Sequence, residues 1–377
     1  MAPSRVVVAP DKFKGSCTAR EAADAIVLGL RDAWGDAVSY AVIPLADGGD
    51  GTVAAFLDGG ATPQHVRVVN ALGAPVDVTY ARSGTSAILE MAAASGLASL
   101  GQNLAPRQAT TFGTGLLIAD ALAHGATRIV LGIGGSATTD GGAGALAALG
   151  VRFLDAAGVV LEPAPEALAT LASIDASGFD PRLADVSLEI ACDVDNPLLG
   201  PAGAAAVYGP QKGATAADVV FLEGVLARLA GRATAATGRD LRAMPGAGAA
   251  GGLGWALATF AGARLARGFE IVAKLQGLET ALRGAALCVT GEGRIDRQSL
   301  DGKVLSGVAR LAGAAGVRVV AIGGSVDPLA EPDLRAIGVT CVVLIDDPAQ
   351  RTRAMREAPA FIRAAAARWA RLGPAPV

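Results

Sequence analysis

The sequence predicts an α/β protein in which a discontinuous domain, built from both ends of the chain, carries a second α/β domain inserted between them. Three observations lead there. Strand-like and helix-like runs alternate at the start of the chain and again towards its end, the pattern of βαβ units on a parallel sheet. The middle breaks that alternation. Six polar, glycine-rich loops stand out, and most follow apolar strands, where open α/β sheets carry their ligands.

The chain opens with a strand over Arg5–Ala9, a loop over Pro10–Cys17, a helix over Ala19–Trp34 and a strand over Val38–Pro44. Thr18-Ala19-Arg20-Glu21 has the form of a capping box and sets the helix start. Val66–Val69, Val76–Tyr80 and Ala87–Met91 read as an antiparallel meander. Strand Arg128–Leu131 leads through a glycine-rich loop into a helix from Ala143 to Leu149, and a strand follows at Ser187–Ile190. A helix is expected over Leu253–Arg264. The final alternation is strand Ala286–Thr290, helix Val304–Gly316, strand Val317–Ile322, helix Pro328–Ile337, strand Val339–Leu344 and helix Arg351–Leu372. Breaks fall near residues 62 and 284, so 1–62 with 285–377 form the discontinuous domain and 63–284 the insert. Function is expected in the cleft between the domains, where strand C-terminal loops open.

Composition bounds the function. Of 377 residues 52% are hydrophobic and 18% charged, which excludes a disordered or fibrous chain. A net charge of −3 and a pI near 5.5 leave no basic face for nucleic acid or an anionic membrane. No uninterrupted run approaches the ~20 apolar residues of a membrane span. Met1-Ala2-Pro3-Ser4 leads directly into a strand without the features of a signal peptide, so a cytoplasmic protein is expected. Cys17, Cys192, Cys288 and Cys341 lie far apart with no metal-ligand spacing, and Cys288 and Cys341 read as buried thiols of strands. His65 in an edge strand and His124 at a helix C-terminus read as structural. Acid–base work would fall to carboxylates or lysines.

The loops carry the chemistry. Asp11, Lys12, Lys14 and Ser16 precede the capped helix and suit an anionic substrate, or form a solvated turn. Asp47-Gly48-Gly49-Asp50-Gly51 offers two carboxylates that could hold a hydrated metal ion or take a substrate proton, or simply turns the chain. Gly132 to Gly142, with Gly134, Gly135, Ser136, Thr138 and Asp140, has the make-up of a phosphate cradle, since glycines let backbone N–H groups approach an oxyanion. Gly132-x-Gly134-x-x-Ala137 also fits a dinucleotide fingerprint, with Asp155 as its acid. Asp193-Val194-Asp195-Asn196 follows a strand and runs on to Tyr208-Gly209-Pro210-Gln211-Lys212-Gly213. Gly246, Gly248 and Gly251 form a second candidate anion nest, and Glu292, Arg294 and Asp296 alternate past a strand end. No Walker A or protein-kinase motif is present.

Together these blocks resemble the bacterial two-domain glycerate kinase family, the glycerate 2-kinase type unrelated to P-loop kinases. The resemblance runs from Val6 to about Ile345. It rests on Ala9-Pro10-Asp11-x-Phe13-Lys14-Gly15-Ser16, Ala46–Thr52, Gly132–Thr138, Ala191–Leu198, Gly209–Ala214, Pro245–Gly254 and Thr290–Asp296. Lys12 departs from the family's usual Ser and Thr139 from its common Asn. The resemblance implies a flavodoxin-like domain with an inserted α/β domain. It also implies ATP- and Mg²⁺-dependent phosphorylation of D-glycerate, usually to 2-phosphoglycerate rather than 3-phosphoglycerate.

Phosphoryl transfer demands positioning and charge neutralisation more than covalent chemistry. On that reading Gly134, Gly135, Ser136, Thr138, Gly246, Gly248, Gly251 and Lys212 would hold nucleotide phosphates. Asp193, Asp195, Glu292 and Asp296 would share Mg²⁺. Asp11, Lys14 and Ser16 would meet glycerate, Arg294 would neutralise the moving phosphoryl, and Asp47 or Asp50 would be the base. Two rival readings are an NAD-linked oxidoreductase using Gly132–Ala137 and a non-catalytic sensor of a small anionic metabolite. The oligomeric state is not legible in the sequence.

Overall fold

A computed structural model describes residues 3–49, 51–300, 303–345 and 348–372. Asp50, one of the two expected bases, lies outside the described residues. The chain divides into two compact units. Unit 1 is Met1–Asp47, Ala54–Gly60 and Phe269–Val377, and unit 2 is Gly48–Val53 and Ala61–Gly268. In chain order the strands are β1 (Arg5–Val8), β2 (Ser39–Val42), β3 (Thr62–Val69), β4 (Pro75–Ser83), β5 (Ser86–Glu90), β6 (Arg128–Gly132) and β7 (Arg152–Leu154). They continue with β8 (Ser173–Asp175), β9 (Ser187–Ala191), β10 (Arg264–Ala266), β11 (Leu287–Ile295), β12 (Arg318–Val326) and β13 (Val339–Val343).

Unit 1 is built on a parallel sheet of order β13-β12-β11-β1-β2. Numbered within the unit this is the 2-1-3-4-5 order of flavodoxin-like folds, whose switch point lies between the first and third strands, here β1 and β11. The helix Ala19–Trp34 starts where the capping box places it: Glu21 N–H donates to Thr18 Oγ1 at 3.1 Å and Thr18 N–H donates to Glu21 Oε2 at 2.9 Å. Its apolar face packs on the helix Ala358–Leu372, and a Cβ at Gly29 would fall 2.2 Å from Arg363 O, so only glycine permits this approach. The expected helix over Arg351–Leu372 is two, Arg351–Arg356 and Ala358–Leu372. Pro359 explains the break: it lacks an N–H and suits only a helix's first turn. The chain returns to unit 1 at Phe269, ahead of the expected break near 284. The segment belongs there because Phe269 lies against Gly307 and Gln276 Nε2 donates to Ala55 O at 3.2 Å.

Unit 2 carries a mixed sheet of order β10-β9-β6-β5-β4-β3. β3, β4 and β5 form the antiparallel meander, while β5, β6, β9 and β10 run parallel. The expected helix Leu253–Arg264 stops at Ala261, because Gly262 takes the left-handed conformation (φ 68°) that ends helices. The residues that follow become β10 and extend the sheet beside β9. β7 and β8 pair with each other in a separate two-stranded sheet, and Leu154 of β7 also bridges Val160. One core lies around Leu89, Leu117, Ile129, Leu131 and Ile190, and a second around Leu146, Phe153, Leu226 and Trp255.

His124 caps the helix Phe112–Ala123, and His65 lies on edge strand β3. All four cysteines are free; Cys288 is buried, while Cys341 is only half-buried at the sheet's edge. Among the described residues no helix is long and apolar enough to cross a membrane.

Candidate active site

In unit 1 the loops after β1, β2 and β11 are held by a backbone ladder that continues beyond β1. Ala9 N–H donates to Val289 O (2.8 Å) and Asp11 N–H to Gly291 O (2.9 Å) on one side. On the other, Ile43 N–H donates to Val8 O (2.8 Å) and Leu45 N–H to Pro10 O (2.9 Å). The ladder fixes Asp11 at the switch point with Glu292 of β11 on one side and Asp47 on the other. Burial, then the Asp47 and Glu292 charges, push the Asp11 pKa up to about 7 against the pull of Lys12. Burial also raises Glu292, with Asp296 and Asp47 adding to the effect, while a hydrogen bond from Ser299 and the charge of Lys303 oppose it. Glu292 Oε1 is buried with no hydrogen-bond partner among the described residues. Three carboxylates therefore share one region, with Lys12 and Lys303 as opposing charges.

The substrate-loop candidates stand beside this cluster for a local reason. Phe13 is buried in the core, and its N–H and C=O bond Cys17 at 2.9 and 3.1 Å. That tight turn, completed by Gly15 at φ 76°, leaves Lys14 exposed and Ser16 half-exposed. Arg294 is exposed and pairs with Asp296 at 3.0 Å.

In unit 2 the glycine-rich loop follows β6. Gly134 and Gly135 are exposed, whereas Ser136, Thr138 and Thr139 are buried. Among the described residues the backbone N–H groups of Gly134, Gly135, Thr138 and Thr139 have no hydrogen-bond acceptor, and neither do the Thr138 and Thr139 hydroxyls. A row of unused donors in a glycine turn suits an oxyanion. The loop's end is fixed by Asp140, fully buried, which accepts from Thr111 N–H (2.8 Å), Thr111 Oγ1 (2.7 Å), Gly144 N–H (3.0 Å) and Gly142 N–H (3.1 Å). Burial raises its pKa, and these bonds work against the rise.

The second glycine loop packs against the first. Gly251, at φ 66°, lies so close that a Cβ would sit 2.1 Å from Thr138 O, and Gly141 N–H donates to Gly251 O at 2.8 Å. A Cβ at Gly248 would meet Pro197 O at 2.2 Å, and Gly246, at φ 83°, lies beside Cys192. Close backbone packing accounts for Gly248 and Gly251, and the left-handed conformation with side-chain crowding accounts for Gly246. Lys212 is buried, and its Nζ donates to Thr138 O at 2.6 Å. Asp193 Oδ1 accepts from Gly268 N–H at 3.0 Å, and Asp195 pairs with Arg267 at 2.9 Å. Asp193 and Asp195 belong to unit 2 and Glu292 and Asp296 to unit 1. Among the described residues no group of three or more His, Cys, Asp or Glu side chains is placed to hold a metal ion.

The anchoring by Thr111 and the place of Ser299 beside Glu292 are not legible in the sequence. The only available signal was Asp140 itself, a carboxylate closing a glycine loop.

The sequence model of the glycerate kinase family matches residues 6–373. The chain belongs to the glycerate kinase family. It is 48% identical over 327 residues to the glycerate kinase of Bacillus subtilis (strain 168), with 85% of each chain covered. It is 46% identical over 325 residues to the glycerate 2-kinase of Escherichia coli (strain K12), again with 85% of each covered. A Salmonella typhimurium LT2 crystal structure assigned as glycerate kinase 2 superposes with a TM-score of 0.88 at 43% identity, covering 98% of both chains.

Membership of a glycerate kinase family removes the oxidoreductase and sensor readings, and the geometry shows why the dinucleotide fingerprint misleads. Its acid should end a strand beside the first in one parallel sheet. Asp155 instead follows β7, outside the β6 sheet, and Oδ1 caps its own turn by accepting from Ala157 N–H (2.8 Å) and Val159 N–H (2.9 Å).

Proposed function

We propose that this protein transfers the γ-phosphoryl group of ATP to the 2-hydroxyl of D-glycerate, giving 2-phosphoglycerate. The observation that carries the reading is the row of unpaired N–H groups at Gly134, Gly135, Thr138 and Thr139, a ready cradle for nucleotide phosphates in a family of kinases. The 2-position is supported by the resemblance to the Escherichia coli glycerate 2-kinase.

The acceptor chemistry falls to unit 1. Lys14 and Ser16 bind the glycerate carboxylate, and Arg294 neutralises charge on the transferring group. Asp11, pushed up to about 7 by burial and by the Asp47 charge beside it, is suited to take the hydroxyl proton at neutral pH, with Asp47 as its neighbouring carboxylate. The donor set also fits Mg²⁺. This ion prefers one or two carboxylates with water and phosphate oxygens completing its octahedron. The unpartnered Glu292 Oε1, with Asp296 nearby, supplies such sparse ligation. The ion, once bound, would neutralise phosphate charge.

The test incubates the purified protein with ATP, Mg²⁺ and D-glycerate, follows ADP by a coupled assay and assigns the product by ³¹P NMR. Glycerate-dependent ADP with a 2-phosphoglycerate signal supports the reading. A 3-phosphoglycerate signal would overturn the regiochemistry, and no ADP above a glycerate-free control would overturn the substrate.

A further inference from the structure

Lys212 is 1% exposed. It comes from the 3₁₀ turn Pro210–Lys212, which ends at Gly213 in the left-handed conformation (φ 87°). Its ammonium donates to the Thr138 carbonyl at 2.6 Å, and Asp140 supplies the opposing charge in the same buried region. A lysine that reaches into a dry interior to grip one backbone carbonyl does not face solvent from where a nucleotide would arrive. We propose that Lys212 is a positioning residue for the phosphate loop, acting through the Thr138 carbonyl rather than by touching phosphate.

A trans peptide is planar, so its C=O and the following N–H point in opposite directions, and the chain has no cis bonds among the described residues. Gripping the Thr138 oxygen therefore sets the direction of the Thr139 N–H, one of the loop's unpaired donors. The same stretch is fixed further on by Gly141 N–H donating to Gly251 O and by Asp140 gathering Gly142 and Gly144 N–H. Loss of the ammonium would remove the one hydrogen bond that pins this peptide plane, and the Thr139 N–H would lose its fixed direction. Pre-organised donors of this kind carry much of the binding of developing charge. Burial also brings the Lys212 pKa down to about 7, with Asp140 opposing the fall.

The inference rests on the phosphate-cradle reading above, and its test separates the two. Wild-type enzyme is acylated with an N-hydroxysuccinimide ester, with and without MgATP, and each lysine is read by peptide mass spectrometry. Lys212 should stay unmodified in both conditions while exposed Lys14 is modified. Labelling of Lys212 that MgATP blocks would overturn the proposal, because that is how a phosphate contact behaves. In parallel, Lys212→Met is compared with wild type by calorimetric titration of MgATP without glycerate. ATP binding should weaken about tenfold or more, the size seen when outer supports of a binding group are removed, with the KM for D-glycerate unchanged. Unchanged ATP affinity in a folded variant would overturn the positioning role alone. A wild type that fails to bind MgATP would overturn the cradle reading as well. If the variant does not fold, the labelling of wild type decides.

Discussion

The Asp140 carboxylate accepts both the backbone N–H and the hydroxyl of Thr111, at 2.8 and 2.7 Å, and so ties the end of the phosphate loop to the start of the helix Phe112–Ala123. Thr111 Oγ1 in turn accepts from Ala145 N–H at 2.9 Å. The hydroxyl thus serves a buried charge and a buried amide at once.

Thr111→Val keeps the shape and removes both bonds. It leaves a buried carboxylate with one donor fewer and a buried N–H with none, which costs about 2–4 kcal/mol. Urea unfolding should show a lower midpoint with an unchanged slope. A midpoint equal to wild type would mean that Asp140 is satisfied without the hydroxyl.

The glycines of the second loop make a sharper contrast. Gly251→Ala forces a Cβ to within 2.1 Å of Thr138 O at φ 66°, so a loss of about 2 kcal/mol or more is expected from strain and displaced backbone. Gly224 lies inside the helix Ala216–Thr237 with open space around its Cα. There Gly→Ala should stabilise by about 0.5–1 kcal/mol. Thermal midpoints of the two variants should move in opposite directions, with ATP affinity lost only at Gly251.

Where sequence and structure agree, the signal was local. Thr18 and Glu21 fix one helix start within four residues, and the alternation β1–helix–β2 needs no distant partner. The length of β11 was hidden because Gly291 and Gly293 resemble loop residues. They continue the strand only because β12 runs beside them through Gly323 and Gly324, with a Cβ at Gly324 falling 2.4 Å from Gly293 O. Glu292 is thereby a strand residue next to Asp11 rather than a loop residue. Thr111 to Asp140 spans 29 residues and Lys212 to Thr138 spans 74. No spacing rule reaches that far, so the candidate loops were legible while the groups that brace them were not.

Asp11 and Asp47 can be separated by function. A positioned base contributes about 10²–10⁴-fold to turnover. Asp47→Asn and Asp11→Asn should each lower kcat within that range, with ATP affinity retained because the phosphate loop belongs to the other unit. Near-normal turnover in both variants would remove this pair from the proton transfer and leave Asp50 as the remaining expected base.

The buried lysine also makes a prediction about pH and stability. In the folded protein Lys212 titrates at about 7, whereas an unfolded lysine titrates near ~10.4. Between these values the unfolded chain binds more protons than the folded one, so unfolding free energy contributed by this residue rises with pH. Burial holds the Cys288 thiol up at about 12. Cys288 acts in the opposite sense once pH passes the ordinary thiol value of ~8.5, because the unfolded thiol then loses its proton first. The clean window is therefore about pH 7 to 8.5. Chemical denaturation across that window should show wild-type stability climbing relative to Lys212→Met, whose profile lacks this contribution. Parallel profiles for the two proteins would mean that the Thr138 carbonyl and the Asp140 charge hold the lysine proton as tightly as water does.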